Sequence, residues 1–171
     1  MRIKKFFIYL IPCLFLIFAC SCSKNKVYQD RITLEDNTWD RLEGNKTLIF
    51  SDVEIKDTAA LYDIYVTLRH TPFVNERAIR FLMKIIYPDG ITRESIYTIS
   101  LKNEESNSWK GDAMGDMIDV EERCRAFVSL PVEGKYTISL TNLGTYNKTI
   151  GLMDIGVMIK KSNLKEYKQS K

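Results

Sequence analysis

Leu61-Tyr62-Asp63-Ile64-Tyr65-Val66-Thr67-Leu68-Arg69 is the stretch that decides the fold. Tyr62, Ile64, Val66 and Leu68 fall on one face of an extended chain, and Leu61, Asp63, Tyr65, Thr67 and Arg69 fall on the other. Successive side chains of a strand point to opposite faces, so an alternation of period two marks a half-buried β-strand.

Outward from this strand the same period recurs. Ala78–Tyr87 places Ile79, Phe81, Met83, Ile85 and Tyr87 on one side, and Leu82 and Ile86 interrupt the other, which suggests a central strand. Pro88-Asp89-Gly90 is a turn, because proline presets φ and glycine tolerates a positive one. Thr92–Leu101 then returns as the second arm of a hairpin. Thr47–Asp52, Arg123–Leu130, Gly134–Leu140 and Ile150–Lys160 complete the set. Residues 102–122 read as a long polar loop around Trp109-Lys110-Gly111-Asp112, with a helical turn at Asp119–Cys124. Seven or eight short strands separated by turns predict an all-β chain, an antiparallel two-layer β-sandwich of jelly-roll type. There is no internal repeat.

The first 21 residues are of a different kind. Met1–Lys5 carries three positive charges and no acid, and Phe6–Phe18 carries no charge. A basic start followed by a short apolar core is a secretory signal. The apolar run is shorter than the roughly 20 residues that span a bilayer, and Pro12 weakens a lasting helix. Ala19-Cys20-Ser21-Cys22-Ser23 then resembles a bacterial lipobox, in which a cysteine thiol receives a diacylglyceryl group and becomes the new N-terminus. Cys20 has Ile17 at −3 and Ala19 at −1; Cys22 has Ala19 at −3 and Ser21 at −1, so both are candidates. One acyl chain holds a protein only marginally, whereas two or three hold it stably.

The 171 residues, 45% apolar and 27% charged, are enough to bury a core without a disulfide framework. If Cys22 is acylated, only Cys124 remains in the mature chain, where it reads as a small apolar residue. The net charge of +3 and pI of about 8.6 hint at an anionic partner such as nucleic acid. Loss of Arg2, Lys4 and Lys5 with the signal leaves 22 basic groups against 22 acidic ones, so that hint disappears. Within the neutral mature chain, Lys160–Lys171 holds five lysines and one glutamate. The expected organisation is a signal over 1–21, a tether and lead-in over 22–45, the sandwich over 46–160 and a basic tail over 161–171.

The catalytic inventory is thin. His70 is the one histidine, so a His-His metal constellation is excluded, and no Gly-x-Ser-x-Gly elbow supports a serine triad. Placed just past a strand, His70 reads as a hydrogen-bonded loop residue. Phosphate-binding glycine motifs are missing, and no cofactor is expected. Asp112, Asp116 and Asp119, with Glu104-Glu105 and Glu121-Glu122, read as solvated loop charge, since no calcium-loop pattern accompanies them. Trp109 is a candidate platform for a sugar ring or partner protein, with Asp112 and Asp116 beside it, or else a cap on one end of the sandwich. Arg69, at a strand end, is a candidate binding residue but more simply an ion-pair partner.

A set of motifs in order carries a resemblance: a lipobox cysteine, Val27-Tyr28, Trp39, Leu61–His70, Pro88-Asp89-Gly90, Trp109-Lys110-Gly111, Gly134-Lys135-Tyr136 and Gly151-Leu152-Met153-Asp154-Ile155-Gly156-Val157. Over essentially the whole mature chain this is similar to the GldH-type gliding-motility lipoproteins of the Bacteroidota. The resemblance implies a non-catalytic lipoprotein of the cell membrane or outer membrane, held by its lipid and working with other envelope proteins. It also favours Cys22 over Cys20, because the Val-Tyr pair follows the acylated cysteine by about five residues in that family. Thr71-Pro72-Phe73-Val74-Asn75 and Asn142-Leu143-Gly144-Thr145-Tyr146 depart from the family pattern.

Overall fold

The strand nominated by residues 61–69 pairs on both sides. In the computed structural model, which describes residues 25–163 except 43 and 45, it is β4 (Leu61–His70). The signal, Cys20, Cys22 and most of the basic tail lie outside the described residues. The other strands are β1 (Lys26–Thr33), β2 (Thr38–Asp40), β3 (Thr47–Ile55), β5 (Ala78–Ile86) and β6 (Thr92–Ser100). They are followed by β7 (Asp112–Met114), β8 (Met117–Ser129), β9 (Gly134–Asn142), β10 (Lys148–Ile150) and β11 (Leu152–Lys161). All pairings are antiparallel. One sheet runs β1-β11-β4-β8-β7, a second runs β3-β9-β5-β6, and β10-β2 form a small third ladder.

The two large sheets share one core. Tyr62, Ile64, Val66 and Leu68 of β4 are buried beside Ile155, Val157 and Ile159 of β11, and the register sets Leu68 against Ile155 and Val66 against Val157. Phe50 and Ile55 of β3, Ile138 and Leu140 of β9, and Phe81 and Met83 of β5 belong to the same buried cluster. The architecture is therefore the all-β antiparallel sandwich. Each of these side chains removes apolar surface from water, worth about 1.5–3 kcal/mol when fully buried.

Three local readings change. Residues 26–33, read as tether, form β1, an edge strand on β11. Asp119–Cys124, read as a helical turn, lies inside β8, whose alternation buries Ile118 and Val120 and leaves Asp119 and Glu121 outside. The loop of residues 102–122 is shorter than expected. Lys102 bridges Trp109, and β7 folds back on β8 through Gly115-Asp116. A further irregularity explains why β3 looked shorter than it is. At Ser51-Asp52 the register skips, with Phe50 opposite Ile138 and Val53 opposite Tyr136. This bulge shifts the buried set from Leu48 and Phe50 to Val53 and Ile55.

Candidate functional site

Antiparallel pairing fixes which residues share an end of the sandwich. Lys26 lies opposite Lys160, and Lys161 opposite Tyr62, so β1 starts where β11 finishes. The Lys161 N–H donates to Asn25 O at 2.7 Å and the Ser162 N–H to Leu61 O at 2.8 Å, so chain entry and exit are stitched together. Asp63, 5% exposed, accepts from Ser162 Oγ at 2.6 Å and from the Phe127 N–H at 2.9 Å.

At the opposite end, the segment after β4 interlocks with the segment before β11. The Thr71 N–H donates to Gly151 O at 2.8 Å. The Asn75 side chain donates to Lys148 O at 3.0 Å and accepts from the Ile150 N–H at 2.8 Å. Glu76 accepts from the Thr145 and Tyr146 N–H groups. These short segments display apolar side chains outward: Phe73 is 86% exposed, and Tyr146 and Ile150 are each 53% exposed.

Arg69 and His70 leave β4 on opposite faces. On the outer face, Arg69 donates from Nε and Nη2 to the two carboxylate oxygens of Asp119, each at 2.8 Å. This planar fork is the strong geometry for an arginine–carboxylate pair. Asp154 on β11 lies 3.8 Å from Arg69, and Arg31 on β1 reaches both Asp154 at 3.7 Å and Asp119 at 3.9 Å. The Arg69 hydrogen bonds, opposed by some burial, hold the Asp119 carboxyl below its ordinary range. Arg31 and Asp154 could not be placed here from sequence, because their meeting depends on register.

A glycine makes room for this ladder. A Cβ on Gly156 would lie 2.5 Å from Thr67 Oγ1 and 2.8 Å from Asp30 O, so β1 could not approach as closely with any other residue there. Arg31, Thr67, Gly111, Asp112, Asp119 and Glu121 line an open groove of about 340 Å³ on this outer face.

His70 is the last residue of β4, with 0% exposure, and not a loop residue beyond it. Its parity matches Tyr62 through Leu68, so it points inward. Nδ1–H donates to Thr71 O at 2.8 Å, and buried Nε2 has no hydrogen-bond partner among the described residues. Burial lowers the pKa of this imidazole. Such a ring is packed as a neutral group and is poorly placed to exchange protons with a substrate.

Trp109 is half-buried against the core, its ring centroid 5.0 Å from that of His70, with Lys102 Nζ 4.3 Å from its centre. Asp112 stands opposite Asp119 across β7 and β8, while exposed Asp116 occupies the hairpin turn. Among the described residues no group of three or more His, Cys, Asp or Glu side chains is placed to hold a metal ion. Cys124 is the free thiol among them; burial, helped by Glu122, pushes its pKa up to about 12.

Comparisons with known proteins bring one family and several distant folds. The carbohydrate-binding module CBM28, specific for non-crystalline cellulose, superposes with a TM-score of 0.43 at 9% identity, covering 78% of this chain and 73% of its own. The VP2 subviral particle of infectious bursal disease virus gives 0.25 at 16% identity, covering 87% of this chain and 44% of its own. A search of curated proteins gives no match. The family model described as GldH lipoprotein matches residues 26–159, from the first residue of β1 to the last core residue of β11. The chain therefore belongs to the GldH lipoprotein family.

Proposed function

We propose that this chain is a non-catalytic envelope lipoprotein, fixed to a membrane through acylated Cys22 and acting by protein contact in a gliding-motility-type or related machinery. The observation that carries the reading is the family match over residues 26–159, which begins where β1 begins. Only Ser23, Lys24 and Asn25 separate Cys22 from that strand, so acylation there holds the folded domain close to the lipid surface. Confinement to a surface raises effective concentration for neighbouring proteins without a new contact. The end bearing Phe73, Tyr146 and Ile150 is turned away from the anchor, and exposed aromatic and aliphatic side chains favour protein contact.

The Trp109 loop supports a ligand platform less well. Its ring already meets His70 and Lys102, and Asp112 lies on strand β7 while Asp116 lies in the hairpin turn. Arg69 serves the ladder with Asp119, and His70 the core.

The test is detergent phase partitioning and intact mass of the mature protein from wild type, Cys22→Ala and Cys20→Ala cells. Acyl mass on Cys22 and loss of membrane partitioning in Cys22→Ala alone support the reading. Unchanged partitioning in Cys22→Ala sinks it. Crosslinking of intact envelopes then identifies the contacting proteins.

A further inference from the structure

β6 closes one side of the β3-β9-β5-β6 sheet, and its outer edge has no strand beside it among the described residues. It pairs with β5 along its whole length without a register shift, from Ile86 opposite Thr92 to Ala78 opposite Ser100. The Tyr87 N–H donates to Ile91 O at 2.8 Å and the Leu101 N–H to Arg77 O at 2.9 Å, one at each end of this hairpin. Bonded and non-bonded pairs alternate in an antiparallel ladder, so the odd-numbered residues of β6 are the ones bonded to β5. Thr92, Glu94, Ile96 and Thr98 therefore turn their N–H and C=O groups out of the sheet. The Glu94 carbonyl takes a bond from Ser95 Oγ at 2.8 Å and keeps its second lone pair. Sheet edges are usually blunted by charge, proline, bulges or brevity. Here β1 shifts register between Lys26 and Tyr28, β3 is bulged at Ser51-Asp52, and β7 is three residues long. Beyond β7, β8 carries Glu121, Glu122 and Arg123 and shifts register against β4. β6 holds no proline or lysine, its Glu94 is matched by Lys84 at 3.1 Å, and Ile96 stands 53% exposed in its middle.

We propose that the free edge of β6 pairs antiparallel with β6 of a second copy of this chain, about a two-fold axis through Ser95. Outward groups must meet outward groups, and the neighbouring registers that satisfy this are disfavoured. An axis through Glu94 sets two carboxylates directly opposite each other. An axis through Ile96 carries the partner's Gly90 onto Lys102, whose edge Trp109 already occupies. The axis through Ser95 avoids both. It sets Thr92 opposite Thr98, Glu94 opposite Ile96, and Arg93 opposite Tyr97, where a guanidinium stacks favourably on a ring. The outward groups of residues 92–98 are then all bonded, and the two sheets join into one. An edge of this length buries less than the roughly 1,200–2,000 Å² of a standard interface, so the dimer is a weak one. The pairing follows from the fold alone and does not depend on acylation of Cys22.

The test uses the mature chain, residues 22–171, carrying Cys22→Ser so that neither lipid nor that thiol contributes; every described element of the fold is retained. Analytical ultracentrifugation over a micromolar to millimolar range should show a monomer giving way to a dimer. Ile96 is exposed, so Ile96→Glu and Ile96→Lys probe the register without disturbing the core. A glutamate there meets the partner's Glu94, whereas a lysine pairs with it, and symmetry doubles each effect. Ile96→Glu should therefore dissociate about tenfold more readily than Ile96→Lys. Ser95→Cys places two thiols across the axis in a non-bonded pair, with Cα atoms about 4.5 Å apart, inside disulfide range. It should oxidise to a covalent dimer, and Thr98→Cys, whose two copies lie far apart, should not. A monomer at every concentration, equal dissociation of Ile96→Glu and Ile96→Lys, or disulfide formation as ready in Thr98→Cys as in Ser95→Cys would each overturn the proposal.

Discussion

Replacing Asp63 by alanine should unfasten the end of the domain where β1 starts and β11 finishes. The carboxylate is buried, and it accepts the Phe127 N–H at 2.9 Å and Ser162 Oγ at 2.6 Å, with Arg123 3.5 Å away. Phe127 sits in a bulge of β8 with φ of 54°, a left-handed conformation that a non-glycine residue holds only when its surroundings insist. Truncation removes the Asp63 acceptor from the Phe127 N–H, costing about 1–3 kcal/mol, and removes a charge-assisted bond to Ser162 worth about 1.5 kcal/mol. The half-exposed Arg123 adds little. A total of about 3 kcal/mol lowers the melting temperature by about 10 °C for a domain of this size. Thermal unfolding followed by circular dichroism measures it, and hydrogen exchange locates it, with faster exchange at Phe127 and Ser162. Asp63→Asn keeps an oxygen for the Phe127 N–H and should lose about 1 kcal/mol. If alanine and asparagine each cost less than about 0.5 kcal/mol, the scatter of ordinary surface substitutions, the carboxylate does not hold the bulge and the reasoning fails.

Other expectations follow from the outer-face ladder, the core thiol and the exposed end. Asp119 has a folded pKa below its unfolded value near 4, so its contribution is present above about pH 4 and is lost as pH falls through the folded pKa. Asp119→Asn should therefore cost no more than about 1 kcal/mol in urea unfolding at pH 7, and the gap from wild type should close in acid. Gly156→Ala forces a Cβ within 2.8 Å of Asp30 O; expect about 2–3 kcal/mol lost and rapid exchange across β1, only partly rescued by Thr67→Ala. Cys124 should resist iodoacetamide at about pH 8 in the native protein and react once unfolded, as its buried thiol titrates near pH 12. Phe73→Ser should change stability by under about 0.5 kcal/mol yet reduce envelope crosslinks, whereas unchanged crosslinks would remove that end from the proposed contact.

What the sequence disclosed, and what it concealed, follows from how each element is buried. β4 was legible because it is central: its inward residues from Tyr62 to Leu68 are apolar, and its pairing partners lie on both sides. β1 was not, because an edge strand is only half enclosed, and Asp30 interrupts the inward series of Tyr28 and Ile32. The start of β8 did alternate, Ile118 and Val120 against Asp119 and Glu121, and Gly115-Asp116 before it is a hairpin signal that would have corrected the helical reading. His70 was misplaced by a single residue, since ending the strand at Arg69 hides its parity with Leu68. Arg31, Thr67, Gly156 and Asp154 are scattered over distant segments of chain, and their convergence is written in register, which no local pattern carries.

Under the proposed anchor at Cys22, register would also set how the domain is held. With Cys22 acylated, the chain has four residue steps to reach Lys26, at most about 14 Å even when extended. β4 runs from the end where β1 starts to the interlocked end in ten residues, about 34 Å at the antiparallel rise. If the proposed anchor at Cys22 holds and the strands stand upright on it, Phe73, Tyr146 and Ile150 would lie several Debye lengths beyond the headgroups, where lipid charge is screened. A pull on that end passes along β4 and β11 to β1, in line with the strands, and loads their ladder hydrogen bonds together instead of one after another. The edge position of β1 that obscured it in the sequence is then the position that would join the sandwich to the proposed anchor.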